Sequence, residues 1–376
     1  MRRLLVACAC STLVPLVSMS GSLTPPVGAT PFAAVEAPAG TPGIQGASSP
    51  GAAALPVVSS RLERRDASAG LRAVAERVMA STPGPAWLAW TVRVVDKEHE
   101  HRFDSRREAA CVLDDDGHLG SGSNTTGDTT SIVVLARFTA RAIDRVAFTD
   151  ARCVVQAGAR PVYWMDGASA KDSVGLLADV AARPDGGEHH VRQGALAALA
   201  MTDDPSADAA LARFVEAAQP PELRRDAAFW LGAARGAAGA RVVDRLVTTD
   251  RDPSFREHLT FVLSLTGAAG LDRLIDLAKH DAEPDVRRQA LFWLSQKAGE
   301  RAAGTISKAA DDDPDLEVRK HAVFAMSQLP KDEGVPRLVT LARTHRDREV
   351  RKQAMFWLGQ SGDPRALALF EQVLKP

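Results

Sequence analysis

The chain has 376 residues, 45% of them hydrophobic and 25% charged, an ordinary globular composition with room for two or three domains. Its 46 basic residues against 47 acidic ones leave a formal charge of −1. That balance supplies no general attraction to nucleic acid or to anionic membranes, both of which reward a strong basic excess.

Residues 1–20 read as a signal peptide. Arg2 and Arg3 form a basic n-region, and Leu4 to Met19 is mostly apolar and uncharged. Small residues stand before two possible cuts, at Ser18-Met19-Ser20 and at Val27-Gly28-Ala29. A core interrupted by Pro15 is short for a bilayer span of about 20 residues. An exported protein, periplasmic or secreted, is therefore expected, with no stable membrane span once the signal is removed. Removal takes two basic charges, so the net charge becomes −1 − 2 = −3. Residues 21–60 are rich in Pro, Gly, Ala, Ser and Thr, and such a stretch reads as a flexible linker that cannot bury enough apolar surface to offset its ordering entropy. Residues 61–82 then read as one amphipathic helix, with Leu62, Leu71, Val74, Val78 and Met79 among many charges.

Residues 83–166 read as a small β-rich domain. Stretches at Trp87–Val95, Ser131–Phe138, Arg145–Thr149, Arg152–Gln156 and Pro161–Met165 predict an antiparallel sheet of four or five strands. Two cysteines lie outside the signal, Cys111 and Cys153. In an oxidising compartment they are a candidate disulfide, the alternative being two unrelated buried thiols. Closing that loop would contribute roughly 3–4 kcal/mol. Three other features resemble chemistry without completing it. Asp114-Asp115-Asp116-Gly117 has Val112 where a calcium loop needs an oxygen ligand. Glu98-His99-Glu100-His101 lacks a third metal ligand nearby, and the run at Ser121 lacks the Gly-Lys-Ser/Thr ending of a phosphate cradle. No metal or cofactor is expected.

From residue 167 to 376 the chain repeats itself. An apolar residue followed by Arg, with Ala four residues after the apolar one, occurs at Val191, Leu223, Val286, Val318 and Val350, and Phe255 opens a copy with Leu259 in place of the alanine. The spacings are 32, 32, 31, 32 and 32 residues, the length of two helices and two turns. Helical rotation of about 100° per residue puts Val350, Ala354, Trp357 and Leu358 on one side, so these positions form the core stripe. The partner helices are visible at Ala209–Val215, Ala240–Val247, Leu271–Ala278, Val335–Ala342 and Ala366–Leu374. Pro221, Pro253, Pro284 and Pro314 sit where proline suits a helix start.

Asp281-Ala282-Glu283-Pro284-Asp285-Val286-Arg287-Arg288-Gln289-Ala290 resembles a HEAT repeat of the phycobilisome-lyase-like type. So does the stretch from Val350 through Gly359 to Asp363. The resemblance covers roughly residues 170–376 and implies an α-solenoid of about six helix pairs. It also implies a ladder between an aspartate at each inter-helix turn and the arginine opening the second helix. Asp250/Arg256, Asp281/Arg287 and Asp313/Arg319 keep the required six-residue spacing. Gly186, Ala218 and His345 replace the aspartate in the other copies, so a weaker ladder is expected at both ends, with Asp347 contributing little. The resemblance implies a scaffold that binds proteins, and sometimes bilins or nucleic acid, without implying a reaction.

One column stands apart. Phe229, Phe261, Phe292, Phe324 and Phe356 recur six residues after the apolar start, about 120° around the helix. These rings either pack between successive second helices or form a partly exposed strip along a concave surface. In the second case Arg225, Arg288, Lys320 and Lys352 edge the strip on one side and Gln296, Gln328 and Gln360 on the other, an arrangement suited to a protein or peptide segment. The expected function is a non-catalytic interaction scaffold of the cell envelope, with the β-rich domain as a second contact surface. Two alternatives stay open. A HEAT-type enzyme of the lyase or metal-dependent hydroxylase kind is disfavoured because the repeats contain no His-Glu pair in that order. A nucleic-acid-binding solenoid is disfavoured by export and charge.

Overall fold

The computed structural model describes residues 55–95, 111–113, 130–183, 189–297 and 299–374. The proposed signal peptide, most of the linker, Glu98–His101, Asp114–Gly117, the run at Ser121 and Gly186 lie outside the described residues. Among the described residues no helix is long and apolar enough to cross a membrane.

The first element is a strand, β1 (Val57–Asp66), followed by helix α1 (Leu71–Ser81). The expected single helix over 61–82 is therefore half wrong, and the last residues of the expected linker are strand. Leu62 is the one large apolar side chain of Arg61–Asp66, too few for an amphipathic helix to bury, whereas β6 offers that segment a complete ladder of backbone partners. Gly70, at φ 137°, makes the break between strand and helix.

The sheet continues with β2 (Ala86–Arg93), β3 (Cys111–Val112), β4 (Ser131–Thr139), β5 (Ala142–Asp150) and β6 (Val155–Asp166). Its order is β1-β6-β2-β4-β5, with β3 beside β6. Only β2–β4 and β4–β5 are antiparallel; β1, β2 and β3 all run parallel to β6. The expectation of a purely antiparallel sheet is thus corrected, and Arg152–Gln156 with Pro161–Met165 belong largely to one long strand, not two. The central strands are buried on both faces. Leu88, Trp90, Val134 and Phe138 join a core shared with the helices, while Trp87, Ala89, Val133, Leu135 and Trp164 form a second core on the opposite face. Cys111 and Cys153 lie in that second core and are joined by a disulfide, with their Cα atoms 6.0 Å apart.

Among the described residues the remaining helices form six pairs followed by one further first helix. The first helices of the pairs are α2 (Ala170–Ala181), α4 (Pro205–Phe214), α6 (Gly236–Thr249), α8 (Gly267–His280), α10 (Glu300–Asp312), α12 (Lys331–Thr344) and α14 (Pro364–Leu374). The second helices are α3 (His189–Met201), α5 (Pro221–Ala234), α7 (Pro253–Ser264), α9 (Pro284–Ser295), α11 (Leu316–Ser327) and α13 (Arg348–Ser361). Pro221, Pro253 and Pro284 occupy first helical turns, and Asp252, Asp315 and Asp347 cap α7, α11 and α13 through their side chains. Second helices pack on their successors more closely than first helices do, so the stack curves with the second helices inside.

Sheet and solenoid share one core, and direct contacts fix them together. The Trp90 indole donates to Ser173 Oγ on α2 at 2.8 Å. The chain after β2 pairs with the turn after α3, where Val95 N–H donates to Met201 O and Asp203 N–H donates to Arg93 O. Gly194 on α3 lies so close to β5 that a Cβ there would stand 2.1 Å from the Val146 carbonyl oxygen. Arg235, buried between α5 and α6, locks the same corner. It donates to the carbonyls of Ala200 and Thr202 and makes a two-pronged bond to Asp208.

Candidate binding face

The ladder positions the second helices, and its geometry differs from the simplest reading of the spacing. Within a repeat the arginine donates to the aspartate's backbone carbonyl: Arg256 to Asp250 O at 3.0 Å, Arg287 to Asp281 O at 2.9 Å and Arg319 to Asp313 O at 2.7 Å. The carboxylate serves the preceding repeat. Arg224 pairs with Asp250, Arg256 with Asp281 and Arg287 with Asp313, the last through two bonds of 2.8 and 2.9 Å. Each arginine therefore spans one turn of its own repeat and the next repeat's turn, which holds the inter-repeat angle. These charge-assisted bonds push the pKa values of Arg256 and Arg287 further up.

At His345 the rung is displaced and more open, not missing. Asp250, Asp281 and Asp313 each accept the backbone N–H two residues on, and His345 Nδ1 takes that bond instead, accepting from Asp347 N–H at 3.0 Å. Asp347 then supplies the carboxylate, 2.9 Å from Arg319. The Arg319 bond, joined by the Glu349 backbone N–H, holds the Asp347 pKa below the usual carboxylate range. The rung has moved two residues along the chain. At the other end Arg224 finds the Val215 carbonyl and the face of Phe255, 3.8 Å from its guanidinium carbon.

On the inner side of the second helices the five phenylalanines are neither fully buried nor fully exposed. Phe229, Phe261, Phe292 and Phe324 are half-buried, and Phe356 is 54% exposed. They form one aromatic strip. Phe229 stacks on Phe261 at 6.0 Å and Phe292 on Phe324 at 6.4 Å, with rings nearly parallel. Trp293 touches both Phe261 and Phe292, and Trp357 touches both Phe324 and Phe356, each contact at about 5 Å. The tryptophans and the histidines of this strip were missed as members of it, although Trp230, Trp293 and Trp357 directly follow three of the phenylalanines.

The structure places Arg288, Lys320 and Lys352 beside the strip, but each is held by a carboxylate one helical turn earlier. Arg288 bonds Asp285, Lys320 bonds Glu317 at 2.9 Å and Lys352 bonds Glu349 at 2.8 Å. Arg225 is exposed, and the equivalent position of α7 is Glu257, which interrupts the basic column. Burial and the charge of Asp285 raise the Glu257 pKa. Gln296, Gln328 and Gln360 are exposed along the other edge. Gln296 and Gln328 donate to Ser295 and Ser327, which leaves their amide oxygens free of that bond. Gln328, Trp357 and Gln360 share the wall of a cavity of about 150 Å³ between α11, α12 and α13. The edge is thus dipolar, not basic.

His258 and His321 lie edge-on to Phe261 and Phe324. Burial pushes both imidazole pKa values down; at His258 the bond to the Arg225 backbone carbonyl works against it, and at His321 the charge of Arg288 adds to it. A base with a folded pKa below its unfolded value of about 6.5 takes protons more readily when unfolded. The fold is therefore at full strength above pH about 6.5 and loses stability as the pH falls towards the folded values. The parent should lose more melting temperature between pH 7 and 5 than a His258→Gln/His321→Gln variant; equal losses would show that the two rings do not titrate in this way.

A family model described as HEAT repeats matches residues 271–355 and 304–376. No curated protein matches. Among solved structures, human deoxyhypusine hydroxylase in complex with glycerol is similar at 16% identity and TM-score 0.24, over 54% of this chain and 90% of that one. The complex of CpcE and CpcF of phycocyanin lyase from Nostoc sp. PCC7120 is similar at 23% identity and TM-score 0.31, over 41% of this chain and 99% of that one. YibA of E. coli is similar at 16% identity and TM-score 0.34, over 54% and 76%. These likenesses concern the fold alone. The helices from α2 onward form a HEAT-like solenoid that follows a small mixed sheet.

Proposed function

We propose that this protein is an exported, non-catalytic scaffold of the cell envelope that holds a protein or peptide partner on the inner face of its solenoid. The observation that carries the reading is the aromatic strip. Five phenylalanines and the tryptophans beside them run across α5 to α13 with their rings in contact, and all five phenylalanines keep part of their surface open. Rigid aromatic side chains rimmed by polar groups are the usual composition of a protein-binding hot spot. The ladder supplies the second requirement, since it fixes the relative placement of the helices before any partner arrives.

The test compares the parent with two variants in affinity capture from the native envelope. Arg288→Glu/Lys320→Glu/Lys352→Glu sets like charges against Asp285, Glu317 and Glu349, which costs about 0.3–0.5 kcal/mol of helix stability at each site. It should keep the fold and abolish capture. Phe292→Ala removes a half-buried ring from the strip and should weaken both melting and capture. A charge-reversed variant that retains its partners as well as the parent would move the binding surface off this face. Fractionation of the expressed protein tests export separately.

A further inference from the structure

Five of the six arginines that open the second helices meet a carboxylate of the next repeat. Arg192 faces Glu222 and Asp226, Arg224 pairs with Asp250, Arg256 with Asp281, Arg287 with Asp313 and Arg319 with Asp347. Arg351 is the sixth. It is held within its repeat as Arg319 is, donating to the His345 carbonyl at 2.7 Å and the Arg346 carbonyl at 3.1 Å, the counterparts of the Asp313 and Pro314 carbonyls. Among the described residues, however, no carboxylate lies within ion-pair distance of it. Its Nε and Nη2, the atoms that hold the carboxylate in Arg256 and Arg287, have no acceptor there.

Arg351 instead lines a cavity of about 560 Å³ with Arg343, Arg348, Lys352, Met355, Leu369 and Val373. Of these four cations only Lys352 is paired with a carboxylate among the described residues, that of Glu349. The surroundings are apolar as well as basic. Phe356, Leu367 and Val373, 54%, 62% and 61% exposed, are the exposed large apolar side chains of the described helices, and all lie on α13 and α14. The stack itself shows what covers such a surface elsewhere. Each first helix from α2 to α12 packs on the second helix that follows it, and from α5 onward that second helix also packs on the one before it. A helix lying on both α14 and α13 would meet the apolar wall of the cavity and bring its leading turn to Arg351. The unpaired cations select negative charge in that turn, because a basic one would set like charges against Arg348 and Arg351.

We propose that this cavity docks an amphipathic helix of a partner protein, led by an acidic turn whose carboxylate completes the Arg351 rung. The probe is a labelled peptide copying residues 313–328 of this chain, the turn and helix that fill the equivalent seat against Arg287. It is held helical by a side-chain staple, and its affinity for the full chain is read by anisotropy. The peptide should bind saturably. Its Asp313→Ala form should bind about tenfold or more weakly, since a charge-assisted hydrogen bond is lost. Arg348→Glu/Val373→Asp alters two exposed side chains of the protein, so the melting temperature should hold while peptide binding is lost. Capture of partners on the inner face should persist in that variant, so the two surfaces succeed or fail separately. Equal binding by the Asp313→Ala peptide would overturn the rung as the anchor. No binding by the stapled peptide, or undiminished binding to the variant, would overturn the docking site. Dimers of the parent that Arg348→Glu/Val373→Asp dissociates would overturn the partner helix in favour of a second copy of this chain.

Discussion

Asp313→Ala is expected to destabilise the solenoid by about 3–5 kcal/mol, because it leaves the Arg287 guanidinium buried without its carboxylate. Both partners are sequestered, with side chains 8% and 5% exposed. Arg287 would keep only its bonds to the Asp281 and Ala282 carbonyls, and the Asp315 backbone N–H would lose its acceptor. The comparison is Asp347→Ala. That rung is more open, at 17% and 26%, so water can replace part of what is lost. Losing the rung and the cap on α13 together should cost about 1–2 kcal/mol. Urea denaturation of both variants reads the difference. A double-mutant cycle on Arg287 and Asp313 should show coupling of about 2 kcal/mol or more. Equal losses at the two rungs would mean that burial does not set the strength of the ladder.

Gly194→Val should uncouple the sheet from the solenoid. The missing Cβ is what allows β5 to lie on α3, since any side chain there would meet the Val146 carbonyl carbon at 3.0 Å and its oxygen closer still. Backbone atoms on both sides leave no rotamer to absorb the clash, so an overpacking cost of about 3 kcal/mol is expected. Limited proteolysis should then cut between β6 and α3 faster than in the parent. Gly304→Ala supplies the contrast, because nothing lies within 4 Å of its absent Cβ in α10. There a helical glycine becomes alanine in open space, and stability should rise by about 0.5–1 kcal/mol. A Gly194→Val protein as stable and protease-resistant as the parent would show that the sheet docks elsewhere.

The repeat was legible in the sequence because each helix pair sees nearly the same surroundings. The core positions therefore recur every 31 or 32 residues, and the apolar starts, the alanine column and the prolines all point to the same helices. The disulfide partners and the Phe column were legible for the same reason of few alternatives: two cysteines beyond residue 20, and a phenylalanine at the same place in five of the six copies. What the sequence could not carry was the choice of partner. Each ladder aspartate sits six residues before an arginine, yet its carboxylate bonds the arginine of the preceding repeat, a pairing set by how far one helix pair is stacked from the next. His345 hid a rung because an imidazole nitrogen can replace a carboxylate oxygen in a turn, which moves the charge to Asp347. The parallel course of β1 beside β6 depends on contacts across about 100 residues, and β1 reads locally as a charged helix. Whether the inner rings are buried was likewise decided only by the stack. Their exposure follows from the curvature and from which residues, tryptophan or alanine, the neighbouring helix presents.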